Sequence, residues 1–388
     1  MRRGSVWWEL SQTKEWLKDG CLGEQRLGKS YMKVVVVGAG PAGLISALNL
    51  IQEGISPLIL EKGSVIRSTA CGEACDLQAL NMVPFDSNPY ICKKVKGAKL
   101  IFHGGIFDYL DKESGVLDRA NWLNGMAREV EIRGGQVKLN SKVVAIYRDS
   151  VRLETGEDIG YDILIGADGP NSQVAKYLGI KHQFITACQY KVALDASKMD
   201  YLEFYFDKRF SFVYSWIFPK DGLVNIGLGG DFAHLDAFLR YKGLDKYQIM
   251  EREAGIVPVS GIQKLVHHNI ALIGDSASMT SPISGGGLAP IIYASQILVR
   301  NLNNLENYER EVKKHPMADP VLLKGGRALV ELTDRDLTNV GKFLVEVHQG
   351  RIRFLSVAKI VKYPSLFLKL NRLTNLYKAV KIAEDYGW

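Results

Sequence analysis

Six consecutive residues carry the first recognisable chemistry of this chain. Gly38-Ala39-Gly40-Pro41-Ala42-Gly43 sets three glycines in the spacing G-x-G-x-x-G. Where a helix begins inside such a run, its first backbone N–H groups are unpaired and its dipole is positive, so an anion can rest there. Gly38 permits a tight turn, Gly40 lets the backbone approach a pyrophosphate, and Gly43 lets helix and strand pack closely. Glu61 stands 21 positions beyond Gly40. A carboxylate there can accept hydrogen bonds from a ribose 2′-hydroxyl and disfavours a 2′-phosphate.

The elements that must position these residues are legible around them. Val34-Val35-Val36-Val37 is a β-branched run that reads as a fully buried parallel strand. A helix is expected from about Pro41 to Glu53, with Leu44, Ala47, Leu48 and Ile51 on one face and Gly54 ending it. A second strand, Pro57-Leu58-Ile59-Leu60, then delivers Glu61. The uncharged run from Val34 to Ile51 is long enough to span a bilayer. Its glycine-rich centre divides it into strand and helix instead, so no transmembrane helix is expected.

Two later segments extend the site. Asp162-Ile163-Leu164-Ile165-Gly166-Ala167-Asp168-Gly169-Pro170 is an apolar strand running into Asp-Gly. Leu272-Ile273-Gly274-Asp275-Ser276-Ala277 is another, leading through Gly285-Gly286-Gly287-Leu288 into a helix from Ala289 to Asn301. An aspartate after a buried strand can bind a ribityl hydroxyl, and a glycine-rich turn at a helix N-terminus can bind phosphate or a flavin carbonyl. Either aspartate alone could equally be a turn or helix cap. As a set, the three segments resemble the flavoproteins of the p-hydroxybenzoate hydroxylase type. That resemblance implies FAD, with Asp275 on the ribitol or pyrophosphate and Gly287-Leu288 beside the isoalloxazine. Only one G-x-G-x-x-G occurs, so no second Rossmann domain for NAD(P)H is expected.

Two further motifs resemble those of the geranylgeranyl reductase family, which includes archaeal digeranylgeranylglycerophospholipid reductases. One is Ala70-Cys71-Gly72-Glu73-Ala74; the other is Tyr214-Ser215-Trp216-Ile217-Phe218-Pro219, a Y-x-W-x-F-P core. The family usually carries proline three positions before that tyrosine, where this chain has Ser211. The resemblance runs from Met32 to about Asn301. Carried over, it implies FAD contacts at Ala42, Glu61, Cys71, Gly72, Ala74, Arg119, Val143, Asp275, Gly287 and Leu288. Arg119 opens a helix through Trp122, Leu123 and Met126, and Val143 lies in a strand that can present backbone to adenine. It also places Tyr214, Trp216 and Phe218 in the substrate pocket and Cys71 near the flavin. There the thiol or an ordered water can relay a proton; a packing role, or a dithiol with Cys75 one helical turn away, are the other readings of Cys71.

The expected fold is α/β in two domains. A Rossmann-like FAD-binding domain (32–84, 115–180, 256–301) joins an antiparallel substrate-binding sheet (85–114, 181–255). Phe204-Tyr205-Phe206, Phe210, Phe212-Val213-Tyr214 and Trp216-Ile217-Phe218 read as aromatic strands of that sheet, with Leu223 to Leu228 returning after a turn at Asp221-Gly222. Aromatic inward faces make an apolar pocket, or simply a core. Residues 302–388 read as a helical C-terminal region. Beyond Gly350, Arg351, Arg353, Lys359, Lys362, Lys369, Arg372, Lys378 and Lys381 interleave with Ile352, Leu355, Ile360, Phe367, Leu370, Leu373, Leu376 and Val380. That pattern suits either a solvated cap or a surface resting on anionic lipid. Residues 1–31 stand outside the flavoprotein pattern as an N-terminal extension, functional or preceding a true start at Met32.

The family resemblance implies an FAD-dependent reductase of isoprenoid C=C bonds, served by an external donor such as ferredoxin, reduced deazaflavin or NAD(P)H. A flavin monooxygenase or halogenase on the same fold is the alternative, as is a lipid-binding flavoprotein without turnover. Tyr214 and Phe218 replace two defining residues of the W-x-W-x-I-P halogenase motif. The 388 residues carry 49 basic and 42 acidic groups, a net charge of +7. This suits an anionic ligand or membrane surface; no motif for nucleic acid is present. The odd number of cysteines, 5, with no apolar leader before them, points to a reducing cytosol, with peripheral membrane contact as the refinement. His267-His268 lacks a ligand cluster and reads as loop, so no metal is expected. The purified protein is expected to be yellow. Glu61→Ala should weaken FAD binding by about 1.5–3 kcal/mol through loss of hydrogen bonds to an ionised acceptor. Titration of apoprotein with FAD checks this, and unchanged affinity would remove Glu61 from the site.

Overall fold

The computed structural model describes residues 32–67, 70–348, 366 and 369–387. The N-terminal extension lies outside these residues, as do Arg351, Arg353, Lys359, Lys362, Ile352, Leu355, Ile360 and Phe367.

Val34–Val37, Ile163–Gly166 and Ile270–Leu272 are buried along their whole length. Such strands are stable only with both faces covered, which is why they read as unbroken apolar runs. They form the middle of a six-stranded sheet in the order Val266–His267, Ile270–Leu272, Ile163–Gly166, Val34–Val37, Leu58–Leu60, Gln136–Lys138. Val35 lies opposite Leu164 on one side and Leu58 on the other, both in parallel register. The Pro41–Gln52 helix covers one face and packs on the Leu288–Arg300 helix. At their contact Asn49 Nδ2 donates to Ser295 Oγ at 2.8 Å, satisfying two buried polar groups.

The glycine turn between Val37 and Pro41 is held by close approach. Gly38 has φ +101°, and a Cβ there would lie 2.6 Å from the Ala167 carbonyl oxygen. A Cβ on Gly43 would lie 2.0 Å from the Gly38 carbonyl oxygen. A second, three-stranded sheet (Val143–Ile146, Ser150–Leu153, Asp158–Gly160) brings Val143 beside this layer.

The second large sheet has eight strands, in the order Ile249–Pro258, Phe184–Val192, Val224–Gly229, Ser215–Pro219, Tyr201–Phe206, Ile91–Phe102, Ile106–Leu117, Ala74–Asp76. It is mixed rather than antiparallel. Tyr201–Phe206 pairs parallel with Ile91–Phe102. Between Leu117 and Phe184 the chain runs through the six- and three-stranded sheets before returning, and parallel neighbours need such a crossover. Ala74–Asp76 forms one edge of this sheet, and the Ile249–Pro258 strand runs past residue 255 at the other. Both segments therefore cross the limits read from sequence. Cys75 accordingly sits on a strand, not a helical turn from Cys71. Phe210, Phe212, Val213 and Tyr214 are not in a strand. The break is Ser211, whose buried hydroxyl donates to the Gly229 carbonyl at 2.7 Å and accepts from Val213 N–H at 3.2 Å. Serine thus shapes the bend where the family has proline. His267 ends a two-residue strand instead of lying in a loop, with His268 (φ +52°) turning the hairpin.

The C-terminal region is helical over Leu305–Lys314, Pro320–Glu331, Asp334–His348 and Leu370–Tyr386. Its helices pack closely on the rest of the molecule. A Cβ on Gly325 would lie 2.5 Å from the Ala379 methyl, and one on Gly326 would lie 2.6 Å from the Pro282 carbonyl. The Pro320–Glu331 helix is therefore wedged between the last helix and the Pro282 loop. Asp336 is buried, which opposes ionisation, but Lys369 and Thr333 bond it and hold its carboxyl below the usual range. His103, Asp207 and Asp334 gather at the base of these helices. Arg209 forks onto Asp207 and the Lys208 N–H donates to Asp334 at 2.8 Å, so the carboxylates are met by the protein's own donors.

Gly43→Ala forces a methyl against backbone that cannot rotate away. It should lower stability by about 1–3 kcal/mol or more. Urea unfolding measures this, and an unchanged midpoint would mean that helix and strand can separate freely.

Candidate active site

One cavity of about 1080 Å³ opens between the two large sheets and the C-terminal helices. Gly38, Gly40, Ala42, Glu61, Cys71, Gly72, Ala74, Arg119, Val143, Asp275, Gly287 and Leu288 all line it, as do Tyr214, Trp216 and Phe218. Gly43 does not; it lies behind, packed on Gly38. Val380, Ala383 and Glu384 of the last helix complete part of the wall.

The glycine half is built to receive an anion. A Cβ added to Gly40 would meet no atom within 4 Å, so this glycine leaves an open cradle at the helix start. The helices from Arg119, Gln173, Phe232, Leu305 and Pro320 are capped by their own Asp118, Ser172, Asp231, Asn304 and Asp319 side chains. Two helices that begin at the cavity, after Gly40 and Gly287, have no side-chain cap. Their first N–H groups and positive dipole ends are left for a ligand.

Charged side chains stand around this cradle. Glu61 accepts from Ala39 N–H and Gly63 N–H, each at 2.9 Å, so its carboxylate braces the glycine turn at the cavity wall. Arg119 has a buried Nε with no partner, while its Nη1 donates to Cys71 Sγ at 2.9 Å. Burial raises the Asp275 carboxyl, and the charges of Arg119 and His182 pull it back. His182 is placed by a 2.9 Å contact between Nε2 and the Ser276 carbonyl. Asp168 is used differently from Asp275. Its carboxylate accepts from Ser172 Oγ at 2.5 Å and Gln173 N–H at 2.7 Å, the helix-cap role. Two Asp-Gly or Gly-Asp strand ends that look alike in sequence thus both border the cavity, but Asp168 is committed to capping a helix.

The second half is apolar. Phe204 and Phe218 meet edge to face with centroids 5.0 Å apart, and Phe204 and Tyr214 at 5.4 Å. Trp216 lies 6.0 Å from Tyr214 and 6.2 Å from Phe218. The Tyr214 hydroxyl donates to the Ser284 carbonyl, tying the aromatic wall to the loop that precedes Gly287. Burial raises the Tyr214 phenol, so it stays protonated.

The Cys71-Gly72-Glu73 turn sits between the halves. Cys71 Sγ accepts from Arg119 and, at 3.3 Å, from Glu73 N–H. A Cβ on Gly72 would lie 2.8 Å from the Phe218 ring, so glycine lets the turn rest on the aromatic wall. Glu73 has φ +64° and is buried. Its carboxylate accepts from Lys220 Nζ at 2.7 Å and Asn225 Nδ2 at 2.8 Å. Cys71 and Cys75 are both free thiols. Burial pushes the Cys75 thiol up to about 12, and its sulfur points at the Gly115 carbonyl, 3.5 Å away. That is a packing cysteine rather than half of a redox pair. Lys220 and Asn225 were missed in sequence. Asn225, a polar residue inside the apolar return strand Val224–Gly229, was the available signal.

The cradle at Gly40, the two uncapped helix ends and the unpartnered Arg119 Nε fit a dinucleotide pyrophosphate. The adjoining aromatic wall fits an apolar chain. Comparison with known proteins agrees. A family described as FAD binding domain matches residues 31–77. A digeranylgeranylglycerophospholipid reductase of Methanosarcina acetivorans is 28% identical over 85% of this chain and 92% of its own length. One from Methanothrix thermoacetophila is 30% identical over 68% of this chain and 75% of its own. A solved structure from Thermoplasma acidophilum, described as geranylgeranyl bacteriochlorophyll reductase-like, superposes with TM-score 0.73. It is 24% identical and covers 92% of this chain and 99% of that one, a likeness of fold.

Lys220→Met leaves the Glu73 carboxylate buried without its cation and should cost about 3–5 kcal/mol. Lys220→Met combined with Glu73→Gln should recover much of that loss. Urea unfolding of the two variants tests the pair, and equal instability in both would show that it is not coupled.

Proposed function

This chain belongs to the digeranylgeranylglycerophospholipid reductase family, and on that premise we propose how its cavity saturates C=C bonds in geranylgeranyl chains of membrane-lipid precursors. It is an FAD-dependent oxidoreductase. The observation that carries the reading is a single cavity with a glycine cradle at one end, an aromatic wall at the other and Cys71 between them. The residues offered as FAD contacts are Gly38, Gly40, Ala42, Glu61, Arg119, Val143, Asp275, Gly287 and Leu288, with Gly43 supporting them from behind. Reduced FAD, when bound, supplies a hydride to one alkene carbon.

The protein's own part follows from the substrate's chemistry. An isolated alkene has no carbonyl to polarise, so orientation and exclusion of water must do the work. Phe204, Tyr214, Trp216 and Phe218 supply a dry wall that fixes the chain. Cys71 is offered as the proton donor to the second alkene carbon, directly or through an ordered water. Gly72, pressed on Phe218, keeps that sulfur close to the aromatic wall. An external electron donor restores the reduced state between turnovers; ferredoxin, reduced deazaflavin and NAD(P)H are the donors to compare. A lipid substrate favours a peripheral position at a membrane surface. No helix among the described residues is long and apolar enough to cross a membrane.

Dithionite-reduced protein, incubated without oxygen with a geranylgeranyl phospholipid, should add one H₂ for each bond saturated. Mass spectrometry of the lipid reads this directly. An unchanged mass would leave a lipid-binding flavoprotein, and oxygen incorporation in air alone would mark a monooxygenase. Cys71→Ser should keep FAD and slow saturation by about 10²–10⁴-fold, the usual worth of a positioned acid. A single-turnover rate within about threefold of wild type, far below that range, would reject the acid role.

A further inference from the structure

We propose that Gln189 is a positioning residue for the reduction, holding the Cys71 turn and the Trp216 indole in one fixed relation. The inference rests on the reductase reading and adds to it the device that sets the distance between the two halves of the site.

The argument begins with strand register. Gln189 pairs with Glu253 on one side and with Gly227 on the other. Gly227 pairs in turn with Trp216, and Trp216 with Phe204. These residues form one row across five neighbouring strands. Such a row puts its side chains on a common face. Between Gln189 and Trp216 the row carries no side chain. A Cβ on Gly227 would lie 2.3 and 2.5 Å from indole carbons of Trp216, so the ring lies across this glycine. Lying there, its Nε1–H donates to Gln189 Oε1 at 3.0 Å.

The same amide has two donors left, and both are used. Gln189 Nε2 donates to the Cys71 carbonyl at 2.9 Å and to Glu253 Oε2 at 2.8 Å. Gln189 is 2% exposed, so none of these bonds is exchanged readily for water. Its carboxamide is planar and has no free donor, and it is clamped from three directions. Moving the indole therefore moves the amide, and moving the amide pulls the Cys71 carbonyl. No other contact described for the Cys71 backbone reaches the aromatic row so directly.

Trp216 borders the substrate side and Cys71 the flavin side. The amide thus transmits the position of one wall to the other. Hydride and proton delivery to two adjacent alkene carbons depends on that separation, and a misplacement of about 1 Å can cost about 10²-fold. Gln189→Leu keeps the side chain's bulk but removes all three bonds. Gly227→Ala keeps every atom of the Gln189 side chain but drives the indole off it, and its methyl also presses on the Cys188 carbonyl at 2.6 Å, giving a second displacement of the same row.

The test uses FAD-loaded full-length protein and two readouts. In hydrogen–deuterium exchange, the peptide spanning Ala70–Glu73 should exchange at least about tenfold faster in both variants, while the Pro41–Gln52 helix stays unchanged. In single turnovers of dithionite-reduced protein with a geranylgeranyl phospholipid, the limiting rate should fall about 10–100-fold. In Gln189→Leu the half-saturating lipid concentration should change little, and FAD content should hold in both variants. That split between rate and saturation separates positioning from general loss of structure. Unchanged exchange in the turn, or a limiting rate within about threefold of wild type, would each overturn the proposal. If wild-type protein itself leaves the lipid unsaturated, the reductase reading fails, and the exchange result alone decides whether Gln189 holds the turn.

Discussion

The site depends on a three-residue turn that belongs to neither large sheet and is pinned from both sides. Cys71-Gly72-Glu73 is reached from one side by Arg119, whose guanidinium donates to the Cys71 sulfur. From the other side Lys220 and Asn225 hold the Glu73 carboxylate, and Asn225 also donates to the Gly72 carbonyl at 3.1 Å. Glu73 adopts a left-handed backbone conformation that costs a non-glycine residue energy. The buried ion pair and hydrogen bonds around it offset that cost. A buried carboxylate is tolerable only when so paired. The turn therefore cannot shift without leaving a buried charge unpaired, and this gives the thiol a defined place between the two walls.

Around this turn, packing is used to bring groups closer than side chains ordinarily allow. Gly43 lets the first helix approach the Gly38 turn, Gly72 lies on Phe218, Gly227 lies under Trp216, and Gly326 fits against the Pro282 loop. Only the first of these contacts shapes the glycine cradle. The others draw the aromatic wall, the Cys71 turn and the C-terminal helices onto one cavity. The last helix thereby becomes part of the wall, through Val380 and Ala383. An apolar chain bound there would be enclosed by three layers contributed by distant parts of the sequence, which is what excluding water from an unactivated alkene requires.

Electrostatics divide the same cavity. At one end, two helices begin without side-chain caps and Arg119 keeps a buried donor free. At the other, the aromatic rings satisfy one another and Tyr214 spends its hydroxyl on a backbone carbonyl. A ligand with an anionic end and an apolar neighbour is matched in both regions. Asp275 stands on the cradle side, where burial raises its carboxyl and the charges of Arg119 and His182 pull it back.

The residues alone determined the strand–turn–helix from Val34 to Gln52, Glu61 at the end of the next strand, and the helix opened by Arg119. Each of these depends on local pattern: β-branched runs, glycine spacing and an aspartate cap at Asp118. The family motifs extended this to Cys71 and the Tyr214–Pro219 segment. What local pattern could not decide was everything set by distant neighbours. Asp168 and Asp275 follow similar strands, yet Ser172 and Gln173 happen to lie where the first can cap a helix. The crossover that makes the large sheet mixed is invisible in any one strand. Ser211 stands where the family usually has proline and holds the bend by donating its hydroxyl hydrogen bond to the Gly229 carbonyl, 18 residues on. Gln189 gains its role only when Gly227, Trp216, Glu253 and Cys71 are brought around it. A hydrogen bond between residues far apart in the chain is specified by the fold as a whole, and so only the tertiary structure could assign it.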